Sequence, residues 1–562
     1  MFCAMQPKGR FLLSLAVLAA GVGAGACERP GTCADAYCGT LLVVTPGEPD
    51  ILLPPSSQSQ VARDIADQIF LKLADLGMST NTIGEEGFQA QLAQRWEWEG
   101  PLTLVFHVDP RARWHDGQPV TATDVAFTFE AYTDTAVAAP FRTALRRIVN
   151  VSARDSLTAV FRFRERYPEM FFDAVYHMRV LPAHLLTGVP RDQWKTAPFG
   201  RRPVGNGPYR FLRWRPGESI ELVADSTFFL GRPAIRRLMW RFTPDLQVAV
   251  SQLVAGQADA RDALATPENI ERARAAPQLT VYSYRGSVYG YLGFNLAANG
   301  DTTRPHEIFG DREVRRALTL AVDRVALLKS VFGDVAKVPP GPMPQLWWIW
   351  DPQIRQLPYD TVQAARMLSA RGWRDSDGDG IRDRAGRPLS FHVLLPSTSG
   401  LRRQYARLLQ QQFRAVGARM EIDEVDPSVM AQRAGAGRFD AILLTWTTDP
   451  SPSSGTAQNW TRAGFGESNY LRYDNPAFDR LVARAASGAV TREESGAAWR
   501  QAMETINADA PAIFLFAPDN VAAIHRRVAD VRLRPDSWSA LLWTWRIPPD
   551  RLIDRDRVAL QP

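Results

Sequence analysis

Apolar and polar positions along the chain repeat with two periods. Residues 40–45 (TLLVVT) form a continuous apolar run, the pattern of a strand buried on both faces. Val61, Ile65 and Ile69 stand four apart and predict a helix with one apolar stripe. Between 92 and 109, Trp96 and Trp98 alternate with polar residues while Leu102, Leu104 and Phe106 share a face, which predicts a meander. Thr121-x-x-Asp124 is a capping box ahead of a helix carrying Val125, Phe129 and Tyr132. Asp311 caps a further helix, whose stripe runs through Val314, Ala317, Leu318, Ala321, Val322 and Val325. The clearest segment is 389–446. It reads strand 391–395, a helix marked by Tyr405, Leu408, Leu409 and Phe413, strand 420–425, a short helix 428–434 and strand 439–446. That βαβαβ order predicts a parallel sheet with right-handed crossovers, with ligands beyond the carboxyl ends of the strands. The segment 445–450 falls at such an end.

Composition narrows the class. The chain has 562 residues, 45% of them hydrophobic and 22% charged, enough for three or four folding units around large cores. A disordered chain, a collagen-like repeat and a small disulfide scaffold are excluded. Lys and Arg exceed Asp and Glu by 66 − 60 = 6, scattered and without a nucleic-acid reading motif, so no nucleic-acid partner is expected. Past the N-terminus no apolar run is long enough for a membrane helix.

The first residues read as an export signal. Lys8 and Arg10 precede the apolar stretch 11–20, and small residues then lead to Cys27. Cleavage before Cys27 resembles the lipobox of bacterial lipoproteins, although Ala24 stands where Leu is usual; the bland alternative is a plain signal cut nearby. Residues 1–26 are then the signal and 27–39 a tether, lipidated on Cys27 and anchored to the membrane. Of the 4 Cys, Cys33 and Cys38 remain, and in an oxidising compartment they pair most simply as a local disulfide; a metal pair is the rival.

Catalytic motifs are missing. No phosphate loop, HExxH pair or GxSxG elbow occurs, and none of the 7 His stand three or four apart. Nothing nominates a nucleophile, so no enzyme is expected. One motif invites a metal: Asp375, Asp377, Asp379 and Asp383, with Gly380 at the sixth position, follow the start of a calcium loop. Gly386 stands where the bidentate Glu belongs, and an Asp/Gly-rich turn into the next strand accounts for the same residues. Calcium is thus a possible structural ion, and no other cofactor is expected.

Five segments in order resemble the extracellular solute-binding proteins of the peptide/nickel class, family 5, the receptors of ABC importers. They are 92–132, with the W-H-D-G-x-P-x-T-A-x-D-V core at 114–125; PVGNGPY at 203–209; YLGFN at 291–295; DREVRRALTLAVD at 311–323; and the 389–446 unit followed by NYLRYD at 469–474. The resemblance implies an α/β, two-lobed periplasmic binding protein (type II, cluster C-like) with an extra subdomain on the first lobe. Lobe I is expected at 40–76, 205–285 and 511–562, the subdomain at 77–204 and lobe II at 286–510, hinged near 285–295 and 509–515. It implies a monomer that captures a peptide or peptide-like solute by lobe closure and hands it to an ABC permease with its ATPase subunits. A non-peptide solute (oligosaccharide, opine, metal chelate), a scaffold or chaperone, and an exported hydrolase are the alternatives.

Site residues follow from the same resemblance. Trp446 and Asp449 stand where peptide-binding relatives carry a wall and an Asp that pairs with the peptide ammonium; a turn at Asp449-Pro450 is the plainer reading. Trp460, Asn206, Tyr291 and Asn295 are further ligand-lining expectations, with core packing or a Gly-rich bend as alternatives. Ser397 stands before the helix where a dipeptide receptor has an Arg, which argues against a strict dipeptide ligand.

Overall fold

The structure, a computed structural model, describes residues 37–489 and 491–558. The expected signal 1–26, Cys27 and Cys33 lie outside the described residues, while Cys38 is buried ahead of the first strand.

Two large sheets and one smaller sheet organise the chain. Strands β1 (Thr40–Thr45), β6 (Tyr209–Arg215), β7 (Ser219–Ala224), β8 (Arg237–Phe242), β9 (Ala260–Arg261), β10 (Leu279–Tyr284) and β17 (Asn520–His525) form the first, in the spatial order β10-β17-β9-β1-β8-β7-β6. The apolar run of β1 lies parallel to β8 and β9, covered on both faces. Strands β11 (Val288–Phe294), β12 (Ala336–Lys337), β13 (Ser390–Pro396), β14 (Arg419–Val425), β15 (Ala441–Thr447) and β16 (Ala512–Pro518) form the second, ordered β12-β16-β11-β15-β13-β14. Here β13 pairs parallel with both β14 and β15, as the βαβαβ pattern predicts, and β11 closes antiparallel on β15. The meander is real: β2 (Ala93–Trp98), β3 (Thr103–Val108), β4 (Ile148–Ala153) and β5 (Thr158–Phe163) make a four-stranded sheet ordered β2-β3-β5-β4.

Three hydrophobic clusters follow from these faces. One joins the first sheet to the four-stranded subdomain, a second covers the opposite face of the first sheet and runs into the second lobe, and a third fills the far face of the second sheet. The helix predicted after Asp311 is two helices, α4 (Arg312–Leu320) and α5 (Arg324–Phe332). Asp323 accepts the Ala326 N–H at 3.0 Å and starts the second, which turns Val325 out to 68% exposure rather than into the stripe.

Two segments cross between the lobes. β10 leads through Arg285–Ser287 into β11, and β16 leads through Asp519 into β17. The expected boundary at 511 therefore shifts: residues 512–518, an unbroken apolar run, hydrogen-bond to β11 inside the second sheet. The crossing is tight. A Cβ on Gly286 would lie 2.1 Å from the Pro518 carbonyl oxygen, so only glycine lets the backbones pass.

Candidate ligand-binding cleft

The carboxyl end of the second sheet faces the subdomain across a closed seam. Direct hydrogen bonds cross it at several points. Thr80 Oγ1 donates to the Leu346 carbonyl at 2.9 Å, Trp348 Nε1 to Thr82 Oγ1 at 3.1 Å, Ser451 Oγ to Glu169 at 2.7 Å, and Arg147 to Ser487 Oγ at 2.8 Å.

Asp449 sits on this seam, half-buried just beyond β15. Its carboxylate accepts the Ser451 N–H at 2.9 Å and the Ser454 hydroxyl at 3.0 Å, opening helix α7 (Pro452–Trp460). The turn reading is thus correct as far as it goes, yet half of the acid's capacity for partners is left over. Burial pushes the carboxyl up and the charge of His177 draws it back down. Among the described residues no Lys or Arg forms an ion pair with it. Trp347 Nε1 donates to the Asp449 carbonyl at 2.8 Å and fixes the backbone.

Trp446, the next-to-last residue of β15, is half-buried, stacks on Tyr470 at 6.1 Å and donates to the Tyr291 hydroxyl at 3.0 Å. Tyr291 itself is 2% exposed and packs on Trp460 and Phe514, so it orients Trp446 rather than facing solvent.

Three other expected ligand residues prove structural. Trp460 is fully buried and donates to the Tyr289 hydroxyl at 3.0 Å, because the apolar face of α7 must cover the second sheet. Asn295 is fully buried; its amide donates to the Gly437 and Phe439 carbonyls at 3.1 and 2.8 Å and its oxygen accepts Ala297 N–H. Asn206 belongs to a clasp. Its oxygen accepts the Leu71 N–H at 2.8 Å, and a Cβ on Gly205 would lie 1.9 Å from the Ile69 carbonyl oxygen, at the end of helix α1 (Gln60–Ile69). The W-H-D-G core locks onto that clasp: His115 accepts the Gly205 N–H at 3.2 Å and donates to the Gly207 carbonyl at 3.0 Å. Burial holds its imidazole at about 4, neutral in this role. Ser397 is exposed at the end of β13, its N–H on the Val425 carbonyl and its own carbonyl accepting from Arg403.

An arginine lies nearby. Arg402 lies in the first turn of helix α6 (Gly400–Arg414), where Ser399 accepts its N–H as N-cap. Its guanidinium donates to Thr445 Oγ1 at the end of β15 and lies near the Tyr291 phenol. Burial lowers its pKa, and among the described residues no carboxylate pairs with it. The sequence signal was present, an Arg just inside a capped helix after the first strand of the βαβαβ unit, but it lies after the cap rather than before it.

Asp375, Asp377 and Asp379 bring ligand oxygens within 4.8 Å of one another on the surface, where Asp379 pairs with Arg419 at the amino end of β14. Asp383 does not join them; it accepts the Ser376 N–H and hydroxyl at 3.0 and 2.6 Å. Asp375 meanwhile accepts the N–H groups of Gly378 and Gly380, the pattern of a self-satisfied turn. A separate cavity of about 670 Å³ lies between Trp348, Trp350 and the first turns of helix α8 (Arg492–Asp509). Among the described residues no helix is long and apolar enough to cross a membrane.

Two lobes and the two segments that cross between them make a two-lobed α/β fold. The description "Bacterial extracellular solute-binding proteins, family 5 Middle" matches residues 87–467, and the chain belongs to that family. It is 26% identical over 506 residues to the oligopeptide-binding protein AppA of Bacillus subtilis, covering 88% of this chain and 89% of that one. The fold is that of the Bacillus subtilis AppA structure determined with a nonapeptide (TM-score 0.71, 24% identity, 91% and 99% coverage). It is equally that of NikZ from Campylobacter jejuni, determined with Ni(L-His) (TM-score 0.72, 22% identity, 90% and 99% coverage).

Proposed function

We propose that this receptor is anchored by lipid on Cys27, captures peptides with free termini in the seam, and delivers them to an ABC permease driven by its ATPase subunits. The observation that carries the peptide reading is a pair of opposite charges at one sheet end, each hydrogen-bonded but neither held in an ion pair among the described residues. Asp449 offers a carboxylate to an ammonium, and Arg402 a guanidinium to a carboxylate, with Trp446 between them in the chain. A zwitterion with an extended backbone answers both. Kinship to AppA supports the same class of solute.

Native mass spectrometry of protein purified without refolding tests this directly. Co-purified masses that fragment as peptides are expected; a sugar, an opine or a metal chelate there replaces the peptide, and a bare protein removes it. Arg402→Gln is expected to weaken a peptide with a free carboxylate about tenfold, and its C-terminal amide hardly at all, by titration calorimetry. Equal losses would leave Arg402 a structural partner of Thr445.

Calcium enters this reading only as a stiffener of the loop carrying Asp375, Asp377 and Asp379. Titrating EDTA-treated protein with calcium gives heat and a higher melting temperature if the loop takes the ion. A plain turn gives neither.

A further inference from the structure

Glu169 precedes helix α3 (Met170–Val175) of the subdomain and reaches into the seam, only 4% exposed. One carboxyl oxygen accepts the Thr82 hydroxyl at 2.6 Å on its own side; the other accepts the Ser451 hydroxyl at 2.7 Å from the opposite lobe. Both partners are neutral donors, and among the described residues no Lys or Arg forms an ion pair with it. The titratable groups around it are mostly acidic. Asp173 acts on it from α3, and Tyr167 from the preceding loop accepts its field while donating to Asp173 at 2.8 Å. Asp449 faces it from the other lobe through Ser451, whose N–H it holds. His177, 3.5 Å from Asp173, is the imidazole of the group.

A carboxylate shut away from water among acidic neighbours is better neutral than charged. When the lobes part, Ser451 leaves and the same oxygen meets solvent, where the charge is welcome. We propose that Glu169 is a proton-linked latch: as the lobes shut, its carboxyl takes one proton from solvent, and the neutral acid holds the hydroxyls of Thr82 and Ser451 together across the seam. The acid O–H then donates to one hydroxyl, and its carbonyl oxygen accepts the other. The device concerns closure itself and is independent of which solute is carried.

Its sign is fixed. Burial first, then Asp173, pushes the closed-state carboxyl from 4.5 up to about 7. Below 4.5 both forms hold the proton and the latch is fully made. Between 4.5 and 7 the closed form holds a proton that the open form lacks, so closure weakens as pH rises, by up to about tenfold per pH unit for one linked proton. Above 7 the advantage is gone.

Small-angle scattering on the ligand-free full-length chain from pH 4.5 to 8 reads the closed fraction. It is expected to fall as pH rises in the wild-type protein. Glu169→Gln keeps both hydroxyl partners without a charge and is expected to stay closed throughout. Ser451→Ala removes the cross-seam partner and is expected to lose closure at pH 5 while matching wild type at pH 8. His177→Gln should leave the pH course in place. A wild-type protein open at every pH, a Glu169→Gln protein with the wild-type course, or a course abolished by His177→Gln overturns the latch.

Discussion

Asp449→Asn weakens the binding of a free-amine peptide about 100-fold and leaves its N-acetyl form unaffected. The substitution is chosen because Asn retains an acceptor for the Ser451 N–H and Ser454 hydroxyl that open α7, so the turn survives while the charge goes. What is lost is one partner of a charge pair closed off from water. Truncating such a pair costs about 2–5 kcal/mol, much of it from the ammonium left unpaired. Burial already pushes the Asp449 carboxyl up in the closed seam, so an incoming cation has an ionisation to stabilise as well as a bond to make. Titration calorimetry with the two forms of one peptide makes the comparison internal. If both forms weaken alike, the acid serves the turn alone and the ammonium is bound elsewhere.

Arg527→Ala removes about 3–5 kcal/mol from the stability of the first lobe. Arg527 is 4% exposed and bridges Asp259 at 2.6 Å and Asp556 at 2.7 Å, both of them fully buried, and it also donates to the Thr40 carbonyl at 2.6 Å. Those carboxylates in turn accept the N–H groups of Leu42 and Thr40, which pins β1 in the sheet. Deleting the guanidinium takes a buried counter-charge away from two acids in a dry site, the costly way to break a buried pair. Arg555 still reaches Asp259 and softens the loss. Urea unfolding followed by far-UV circular dichroism reads the change as a lower midpoint. A loss below about 1 kcal/mol would show that the network is no more than neutral to the fold.

Periodicity made most elements legible, because burial on one face imposes the spacing and the sequence must obey it. Tyr405, Leu409 and Phe413 mark α6, and each is fully buried. The break between α4 and α5 was hidden, since Val322 continues the stripe while Asp323 ends it by capping the next turn. The second crossing was hidden for another reason. β16 and β17 are apolar on both sides of a single residue, so composition does not change where the chain passes between lobes. The place of Asp449 after the third strand of the βαβαβ unit was legible, and the structure sets it on the seam. Trp460 and Asn295 were not separable from true cleft residues, because a tryptophan or an amide reads the same whether it faces a ligand or a neighbouring strand. The Glu169–Ser451 contact joins positions 282 apart and leaves no local trace.

The order of strands in the first sheet has a consequence for the chain as it is made. β10 reaches the rest of that sheet only through β17, and the N–H of Thr40 is held by Asp556, 516 positions later. A nascent chain that has not yet released its last fifty or so residues therefore has neither a complete first lobe nor a second tie between the lobes. Contacts of such long range are slow to form and come late. The first sheet is the last part of the molecule to be completed, and a product truncated between residues 285 and 519 is left with an orphan strand edge at β10 and without the second tie between the lobes.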